Sequence, residues 1–253
     1  MSEENKRSIR ISVRNLVEFV LRSGDIDNRR SGNAQKDAML AGGRIHRKIQ
    51  KRMGSGYRAE VPLKHEVTDD EQEIVLSVEG RADGIFTENG ITVIDEIKGM
   101  YTDVARLEAP IEVHLAQAMC YGYFYCCDKD LDGIRLQLTY CNLETEEIRR
   151  FQTDRSKEEL EQWFSGVVHE YFKWARYLYH HELTRDASIR NLEFPYPYRE
   201  GQRDLVVSVY RTISRKKRLF IQAPTGIGKT LSTVFPAVRA IGEGKGDKLF
   251  YLT

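Results

Sequence analysis

Three segments with the residue pattern of β-strands, separated by two short turn sequences, constrain the fold of this chain more than any other feature. They cover residues 57–67, 73–86 and 91–100, and the turn sequences TDDEQ and TENG lie between them. Polar residues and glycine in such short connections favour reversal of the chain. Because segments joined this closely tend to pair side by side, we predict an antiparallel meander.

Helical patterns surround these strands. Ser12 is predicted to cap the first helix and Gly24 to end it, and Ser156 with Glu159 has the pattern of a capping box. The predicted helices cover residues 13–23, 34–53, 109–127 and 157–183, and a further hairpin covers 133–143 and 146–153. The order helix, sheet, helix, sheet edge, helix predicts an α/β domain over residues 1–191.

A second domain is predicted to begin at Leu192. Pro195 and Pro197 in the stretch LEFPYPYREGQ stop any helix and indicate an extended connector. A helix over 200–215, a strand over 218–224, a glycine turn, another helix and a strand over 248–253 follow. This alternation is the opening of a doubly wound domain, which we expect over residues 192–253.

The composition excludes several classes of protein. Lys and Arg number 39 against 38 Asp and Glu, so the net charge of +1 predicts no polyanionic partner, and any nucleic-acid surface must be local. No apolar run approaches the ~20 residues of a membrane span, and the polar start lacks the apolar stretch of a signal peptide. We therefore expect a cytoplasmic protein without a membrane partner.

The cysteines do not have the spacing of a metal site. The chain contains no Cys-x-x-Cys pair, and its four cysteines are Cys120, Cys126, Cys127 and Cys141. In a cytoplasmic protein this pattern predicts reduced, mostly buried thiols, and it argues against a zinc site.

The stretch VIDEIKG, residues 93–99, places charges within an otherwise apolar strand. Strand alternation puts Glu96 and Lys98 on one face and Asp95 on the other. Antiparallel pairing through the TENG turn would bring Asp83 beside Glu96. Two adjacent carboxylates repel one another unless a cation lies between them, and oxygen ligands suit Mg²⁺ or Mn²⁺. Lys98 could then orient or deprotonate the attacking water, or stabilise charge on a phosphate.

These residues resemble a known nuclease signature. Asp83, Glu96 and Lys98 match the Asp…Glu-x-Lys pattern of the PD-(D/E)XK fold. The stretch GGRIH, with Gly42 and His46, resembles the Gly-x-x-x-His element of RecB-like and Cas4-like nucleases. The stretch QAMCY resembles their Gln-x-x-x-Tyr element, through Gln117 and Tyr121. The resemblance covers residues 9–183 and implies a mixed sheet flanked by helices.

The resemblance implies a role for each matching residue. The implied roles are metal ligation by His46, Asp83, Glu96 and the carbonyl of Ile97, catalysis by Lys98 with Glu96 and Asp83, and positioning of DNA or support of Lys98 by Gln117 and Tyr121. Cas4-like members often carry a four-cysteine iron–sulfur cluster with one cysteine ahead of the core. Here no cysteine precedes Cys120, so we expect no such cluster.

Each match also has a simpler interpretation. His46 alone would fit the surface of an amphipathic helix, Asp83 before a glycine would fit a turn, and Gln117 with Tyr121 would fit helix packing. Arg44 and Arg47 belong to a basic cluster around His46 that could contact phosphates, or could form a solvated helix face.

A phosphate-binding loop is predicted near the end of the chain. The stretch APTGIGKT, residues 223–230, follows a predicted strand and precedes a helix, as a Walker A loop does. Gly226 and Gly228 would let backbone N–H groups approach phosphate, Lys229 would reach the outer phosphates, and Thr230 would hold Mg²⁺. A glycine turn with an incidental lysine is the simpler alternative.

This region resembles the start of an XPD/DinG-type superfamily 2 helicase, over residues 192–253. The resemblance assigns adenine recognition to Gln202, implies ATP as a ligand, and implies the beginning of a RecA-like P-loop domain. A Walker B acid and a second motor domain do not fit before Thr253. We therefore expect a fragment without ATPase or helicase activity, whose partners are DNA and the remainder of a helicase.

The sequence thus predicts a metal-dependent deoxyribonuclease acting on single-stranded or flap DNA, as the nuclease part of a helicase-nuclease. Two other interpretations are kept. The domain could be a non-catalytic DNA-binding accessory of a helicase, or the chain could be a nucleotide-binding module that works through APTGIGKT.

Overall fold

A computed structural model describes residues 6–22, 32–69 and 74–252, with only the backbone described for residues 32–39. The strands are β1 (Arg7–Ser12), β2 (Arg58–Thr68), β3 (Ile74–Glu88), β4 (Ile91–Met100), β5 (Gly133–Asn142) and β6 (Ile148–Ser156). The helices are α1 (Val13–Val20), α2 (Gly32–Arg52), α3 (Glu112–Lys129), α4 (Lys157–Arg190), α5 (Gln202–Ser214) and α6 (Lys229–Gly242), with a short 3₁₀ helix at Val104–Arg106.

The chain forms two compact units, Met1–Trp174 and Ala175–Thr253. They divide within α4, whereas the pattern of the sequence predicts a boundary at residues 191 and 192. In the part of the chain that is described, no helix is both long and apolar enough to cross a lipid bilayer.

The first unit contains a six-stranded mixed sheet in the order β1-β3-β4-β5-β6, with β2 also paired to β3. The predicted antiparallel meander of β2, β3 and β4 is confirmed. Strand β5 runs parallel to β4, across a connection that contains α3, and β6 returns antiparallel to β5. The predicted α/β class is therefore confirmed.

One edge of β3 is shared by two strands, and this forms a fork in the sheet. Strand β2 pairs with residues 75–85 of β3, so it occupies one edge along almost the whole strand. Strand β1 pairs in parallel with residues 74–79, and β4 pairs with residues 84–88. Both must lie on the other edge, and residues 80–83 lie between them. The sequence pattern did not predict β1, because this strand has only six residues, RSIRIS, of which two are apolar.

Helices cover both faces of the sheet. Ile45 and Ile49 of α2 form an apolar cluster with Ile97 and Cys141 on one face. Helix α3 contacts β5, β4, β2 and β3, and its Gln117 bonds a side chain of β4 on the opposite face. The helices thus hold β4 from both sides, which fixes the strand that carries the charged residues.

Two predicted helix starts are confirmed. The hydroxyl of Ser12 accepts a hydrogen bond from the Asn15 N–H at 3.1 Å, which caps α1. At the start of α4, the Ser156 hydroxyl accepts from the Glu159 N–H at 3.1 Å, and Glu159 accepts from the Ser156 N–H at 2.9 Å. The predicted end of the first helix at Gly24 lies outside the described residues, and the helix itself ends at Val20.

The second unit packs α5 against α6 and lacks the predicted strands. Residues 218–224 and 248–252 are extended but do not form strands, so the prediction of two strands there is wrong. An extended segment becomes a strand only where a second backbone pairs with it, and neither segment has such a partner among the described residues. Their apolar side chains are accordingly exposed, with Phe220 at 93% and Phe250 at 82%.

A buried polar network lies on the face of β4 that carries Asp95. The Asp95 carboxylate is fully buried and accepts hydrogen bonds from Tyr57 at 3.0 Å, Gln137 at 3.1 Å and Thr139 at 2.6 Å. Gly84 makes room for Tyr57, since a Cβ at that position would lie 1.8 Å from its ring. Three donors compensate the burial of one carboxylate, and they tie β4 to β5 and to the residue that precedes β2.

Replacing Asp95 is expected to cost more stability than removing one of its donors. Asp95→Ala removes three hydrogen bonds at once, and we expect a loss of about 2–4 kcal/mol in the free energy of unfolding. Tyr57→Phe removes one hydrogen bond and should cost about 1 kcal/mol. Urea unfolding monitored by circular dichroism measures both. Equal losses in the two variants would contradict the network.

The aromatic surroundings of His65 predict that acid destabilises the first unit. Its ring lies 5.3 Å from Phe124, 5.0 Å from Tyr123 and 5.6 Å from Phe164. Burial lowers the pKa of His65 below its ordinary value of 6.5, although Glu161 and Glu66 oppose the shift. The folded state therefore binds a proton less readily than the unfolded state. This contribution to stability is fully present above about pH 6.5, and it is lost as the pH falls from there through the lowered pKa of the folded state.

The test compares thermal unfolding midpoints at about pH 7.5 and about pH 5.5. His65→Phe should show a smaller decrease between these pH values than the wild type. The exposed His169 provides the matched control, and His169→Gln should keep the wild-type decrease. A decrease that is identical in His65→Phe and the wild type would exclude His65 as the group responsible.

Candidate functional site

Asp83 lies where β3 and β4 separate. The last paired position of the two strands is Gly84 with Asp95, so Asp83 is the first residue of β3 beyond the ladder. Its Oδ2 accepts a hydrogen bond from the Ile97 N–H at 2.7 Å, and its Oδ1 lies 3.2 Å from Nδ1 of His46. The Asp83 side chain thus accepts the hydrogen bond that a backbone carbonyl would accept in a continued ladder. The same side chain contacts His46 and so links α2 to the end of the fork.

The backbone on the other side of Asp83 is also irregular. Glu60 of β2 stands opposite Asp83 but is not a paired position, and its φ of 54° lies in the left-handed region. The carbonyl of Asp83 instead accepts a hydrogen bond from Nε2 of Gln50 at 3.0 Å, and Gln50 also donates to Glu60 at 3.1 Å. Helix α2 therefore supplies the contact that the ladder lacks.

This irregularity changes the direction of the side chains along β3. Residues four apart on a regular strand face the same side of the sheet. Gly80 faces Tyr121 of α3, but Gly84 faces Tyr57 and the Asp95 network on the opposite side. The alternation is interrupted between these two glycines, which is where Asp83 enters the fork.

Glu96 and Lys98 lie on the α3 side of β4. Glu96 is 4% exposed, and its Oε1 lies 2.7 Å from Nζ of Lys98. Lys98 also donates to Oε1 of Gln117 at 2.9 Å. The second oxygen of Glu96, Oε2, is buried and has no hydrogen-bond partner among the residues that the structure describes. A buried carboxylate oxygen without a partner is costly unless a cation or solvent completes it.

The charges of the site act on one another. Burial raises the pKa of Glu96 to about 7, with Lys98 opposing the rise and Asp83 adding to it. Burial lowers the pKa of His46, but the hydrogen bond and charge of Asp83 outweigh that effect, so the His46 pKa is raised. Mutual shifts of this kind require short separations. The four side chains therefore form two pairs, His46 with Asp83 and Glu96 with Lys98, which lie near enough for their charges to interact.

The chemical types of these donor groups suit a divalent cation, but the side chains are not arranged around one common point. Two carboxylates and an imidazole suit Mg²⁺ or Mn²⁺, and Oε2 of Glu96 lacks a partner. Within the described ranges, however, no three His, Cys, Asp or Glu side chains are grouped closely enough to hold a metal ion. His46 instead pairs with Asp83, and Lys98 pairs with Glu96. The unpartnered Oε2 of Glu96 is therefore the observation that supports a cation at this site.

Gln117 and Tyr121 lie one turn apart on α3 and have different contacts. Gln117 bonds Lys98, whereas Tyr121 contacts the backbone side of β3. Tyr121 is 6% exposed and packs on Gly80, where an added Cβ would lie 2.6 Å from the phenol oxygen. Tyr121 therefore braces β3 within the fork, between the regions that pair with β1 and β4.

Only some of the basic residues on α2 are placed to meet an anionic ligand. Arg44 and Arg47 are exposed on either side of His46, and neither makes an ion pair within the described part of the chain. Lys48 and Arg52, on the same helix, both contact Glu146. The two arginines next to His46 thus remain as cations that can meet an anionic ligand.

Sequence reasoning missed His114, which lies on the same side of α3 as Gln117. Its Nδ1 is 3.3 Å from the hydroxyl of the buried Tyr140. Burial lowers the pKa of His114 to about 4, and Lys98 and Arg14 act in the same direction. The signal was present in the stretch VHLAQ, because His114 precedes Gln117 by three residues and shares its helix face.

The phosphate-loop residues come together in the second unit. Gly226 has a φ of 89° and Gly228 a φ of 83°, and α6 begins directly afterwards at Lys229. Nζ of Lys229 donates to the carbonyls of Ala223 at 3.0 Å and Pro224 at 3.1 Å. Left-handed glycines before a helix N-terminus form the turn that a phosphate loop needs.

Gln202 and Thr230 also contact this region. Gln202 is 4% exposed, accepts from the Arg199 N–H at 3.1 Å and donates to the carbonyl of Ile227 at 3.1 Å. The hydroxyl of Thr230 accepts from Tyr251 at 3.2 Å. The side chain of Gln202, the first residue of α5, therefore contacts the loop and helps to hold its shape.

Comparisons with known proteins place a short part of the chain near a helicase. No protein-family profile matches the chain. A stretch of 47 residues is 45% identical to the Probable ATP-dependent helicase MJ0942 of Methanocaldococcus jannaschii, and it covers 18% of this chain but 7% of that protein. A solved structure titled "Crystal structure of SSO0001" aligns over 66% of this chain and 77% of its own, with 18% identity and a TM-score of 0.41. The similarity of that 47-residue stretch relates this chain to helicases.

Proposed function

We propose that the domain predicted over residues 1–191 is a divalent-metal-dependent deoxyribonuclease with a PD-(D/E)XK core. In this proposal it is the nuclease part of a helicase-nuclease and acts on single-stranded or flap DNA. The observation that carries the proposal is the convergence of His46, Asp83, Glu96 and Lys98 at the fork, with Oε2 of Glu96 buried and unpartnered among the described residues. The similarity of a short stretch to a helicase supports the association with DNA.

The cation would be held by His46, Asp83, Glu96 and the carbonyl of Ile97. When bound, Mg²⁺ or Mn²⁺ polarises the scissile phosphate and lowers the pKa of a bound water. Lys98 is held in place by Glu96 and Gln117, so its ammonium group can orient the attacking water or balance charge on the phosphate. Of the two roles predicted for Gln117, support of Lys98 agrees with its hydrogen bond.

DNA would approach along α2. Arg44 and Arg47 are exposed on the helix that carries His46, so they can meet phosphates on either side of the metal. The buried phenol of Tyr121 packs against Gly80 of β3, which supports a bracing role for this residue rather than contact with DNA.

Removing a ligand or the lysine is expected to abolish cleavage. Asp83→Ala and Lys98→Ala should each lower the rate of cleavage of a labelled single strand in Mn²⁺ by at least ~100-fold. The reason is that the first removes a carboxylate ligand and the second removes the charge beside the phosphate. Gel electrophoresis of the labelled products measures the rates.

Asp128 and Lys129 provide matched controls, because they are an exposed acid and an exposed base that pair with each other near the end of α3. Asp128→Ala and Lys129→Ala should cleave at the wild-type rate. Cleavage that survives both Asp83→Ala and Lys98→Ala would contradict the assignment. Metal-independent DNA binding by the wild type without cleavage in either cation would favour a non-catalytic accessory domain.

A second candidate function is nucleotide binding by the second unit. It is favoured by the left-handed Gly226 and Gly228 before α6, and by the position of Lys229 over the loop carbonyls. A nucleotide phosphate would compete with those carbonyls for the ammonium group of Lys229. Hydrolysis is not part of this proposal.

Lys229→Ala is therefore expected to weaken binding of ATP by at least ~10-fold, which corresponds to about 1.4 kcal/mol of lost charge-assisted bonding. Titration with a fluorescent ATP analogue measures the dissociation constant. The exposed Lys245 serves as the control, and Lys245→Ala should bind as the wild type does. Equal affinity in Lys229→Ala and the wild type would exclude the loop as the binding site.

A further inference from the structure

His114 belongs to the strip of α3 that faces the proposed nuclease site. His114, Gln117 and Tyr121 are separated by three and four residues, so they line one side of the helix. Gln117 bonds Lys98, and Tyr121 braces β3 beside Gly80. His114 extends this strip by one turn toward the start of α3, and it is close enough to Lys98 for the two charges to affect each other.

Tyr140 fixes one side of the His114 ring. Tyr140 is the cross-strand partner of Lys98, so it places its side chain next to that of the lysine on the same face of the sheet. Its hydroxyl oxygen accepts a hydrogen bond from the Ile111 N–H at 2.9 Å and lies 3.3 Å from Nδ1 of His114. The ring is therefore anchored between the start of α3 and the strand beside the catalytic lysine.

The same contacts are compatible with a neutral ring that carries its proton on Nε2. Because the Tyr140 oxygen accepts from Ile111, its own hydrogen is available to donate to Nδ1 of His114. A neutral imidazole whose Nδ1 accepts must carry its proton on Nε2. This tautomer is part of the inference below, and in it Nε2–H has no hydrogen-bond partner among the described residues.

We propose that His114 contacts the substrate of the nuclease, and that its Nε2–H donates a hydrogen bond to a non-bridging oxygen of the phosphate beside Lys98. This inference rests on the proposed nuclease function and adds a substrate-binding residue to it. Lys98 supplies a charge and His114 supplies a directed neutral donor, so the two together can hold two oxygens of one phosphate. Such a donor stabilises the charge that develops on these oxygens during hydrolysis.

Neutrality suits His114 to this role. Its burial and the nearby Lys98 and Arg14 oppose protonation, so the ring is neutral at the pH at which nucleases are assayed. A second cation beside Lys98 would repel the lysine, whereas a neutral N–H does not. The Tyr140 contact keeps the tautomer, and therefore the donor, in place.

Two substitutions separate the two ring nitrogens. The amide nitrogen of a glutamine reaches the position of Nε2, whereas that of an asparagine reaches only the position of Nδ1. In single-turnover cleavage of a labelled single strand in Mn²⁺, His114→Asn should be slower than the wild type by about 10- to 100-fold. His114→Gln should remain within about 3-fold of the wild type. Thermal unfolding midpoints of both variants measure whether the fold is retained.

Substrates with a single sulfur in place of each non-bridging oxygen identify the contact. For one of the two diastereomers, the rate loss caused by sulfur in the wild type should shrink in His114→Asn, because the hydrogen bond to that oxygen is already gone. A purely structural role would leave both sulfur effects unchanged. Both effects are measured with Mn²⁺ throughout, so the cation is the same in each comparison.

The outcomes separate the two proposals. Wild-type protein that does not cleave in Mn²⁺ or Mg²⁺ would overturn the nuclease function and this inference with it. Wild-type cleavage with an unchanged rate in His114→Asn would overturn the inference alone. A greater loss in His114→Gln than in His114→Asn would also overturn it, since that order assigns the role to the Nδ1–Tyr140 contact.

Discussion

The hydrogen bond from the Ile97 N–H to the Asp83 carboxylate is the interaction on which the rest of the site depends. It spans the point where β3 and β4 part, so it closes the fork without continuing the ladder. The same carboxylate receives His46 from α2, and the carbonyl of Asp83 receives Gln50. One residue thus joins two strands and a helix. An aspartate is short enough to fit between strands and has two oxygens to satisfy, which a hydrophobic residue could not do.

The site contains buried charged groups, and these groups are paired with groups of opposite charge. Glu96 is almost fully buried, and its pairing with Lys98 offsets part of the desolvation cost of both groups. The arrangement leaves one oxygen of Glu96 unpartnered among the described side chains, and burial raises the pKa of the Glu96 carboxyl. A fold that needed only stability would be better served by an apolar side chain here. The buried charges are therefore an observation that supports the proposed nuclease site.

Much of the local geometry was predictable from the pattern of the sequence. The TENG turn and the alternation in VIDEIKG correctly predict the β3–β4 hairpin, and the side of the sheet that Asp95 faces follows from the same alternation. The fork was not predictable, because it arises from β1, whose pairing partner lies more than 60 residues away in the chain. The helical spacing places His114 on the same face as Gln117, but it does not show that Tyr140 of another strand lies beside the ring. The prediction of strands near Phe220 and Phe250 was wrong for a related reason. β-Propensity is a property of one segment, whereas a strand forms only when two segments pair.

The close contact between Gly80 and Tyr121 has a consequence for how this protein can change during evolution. Any side chain at position 80 would overlap the phenol ring, and the ring in turn occupies the space that a side chain would fill. A substitution at either position alone therefore creates a clash or a cavity. The two positions can drift only as a pair, so a lineage that lost the tyrosine would be free to replace the glycine. Variation at residue 80 across related chains would then indicate which of them have lost the contact between the tyrosine and β3.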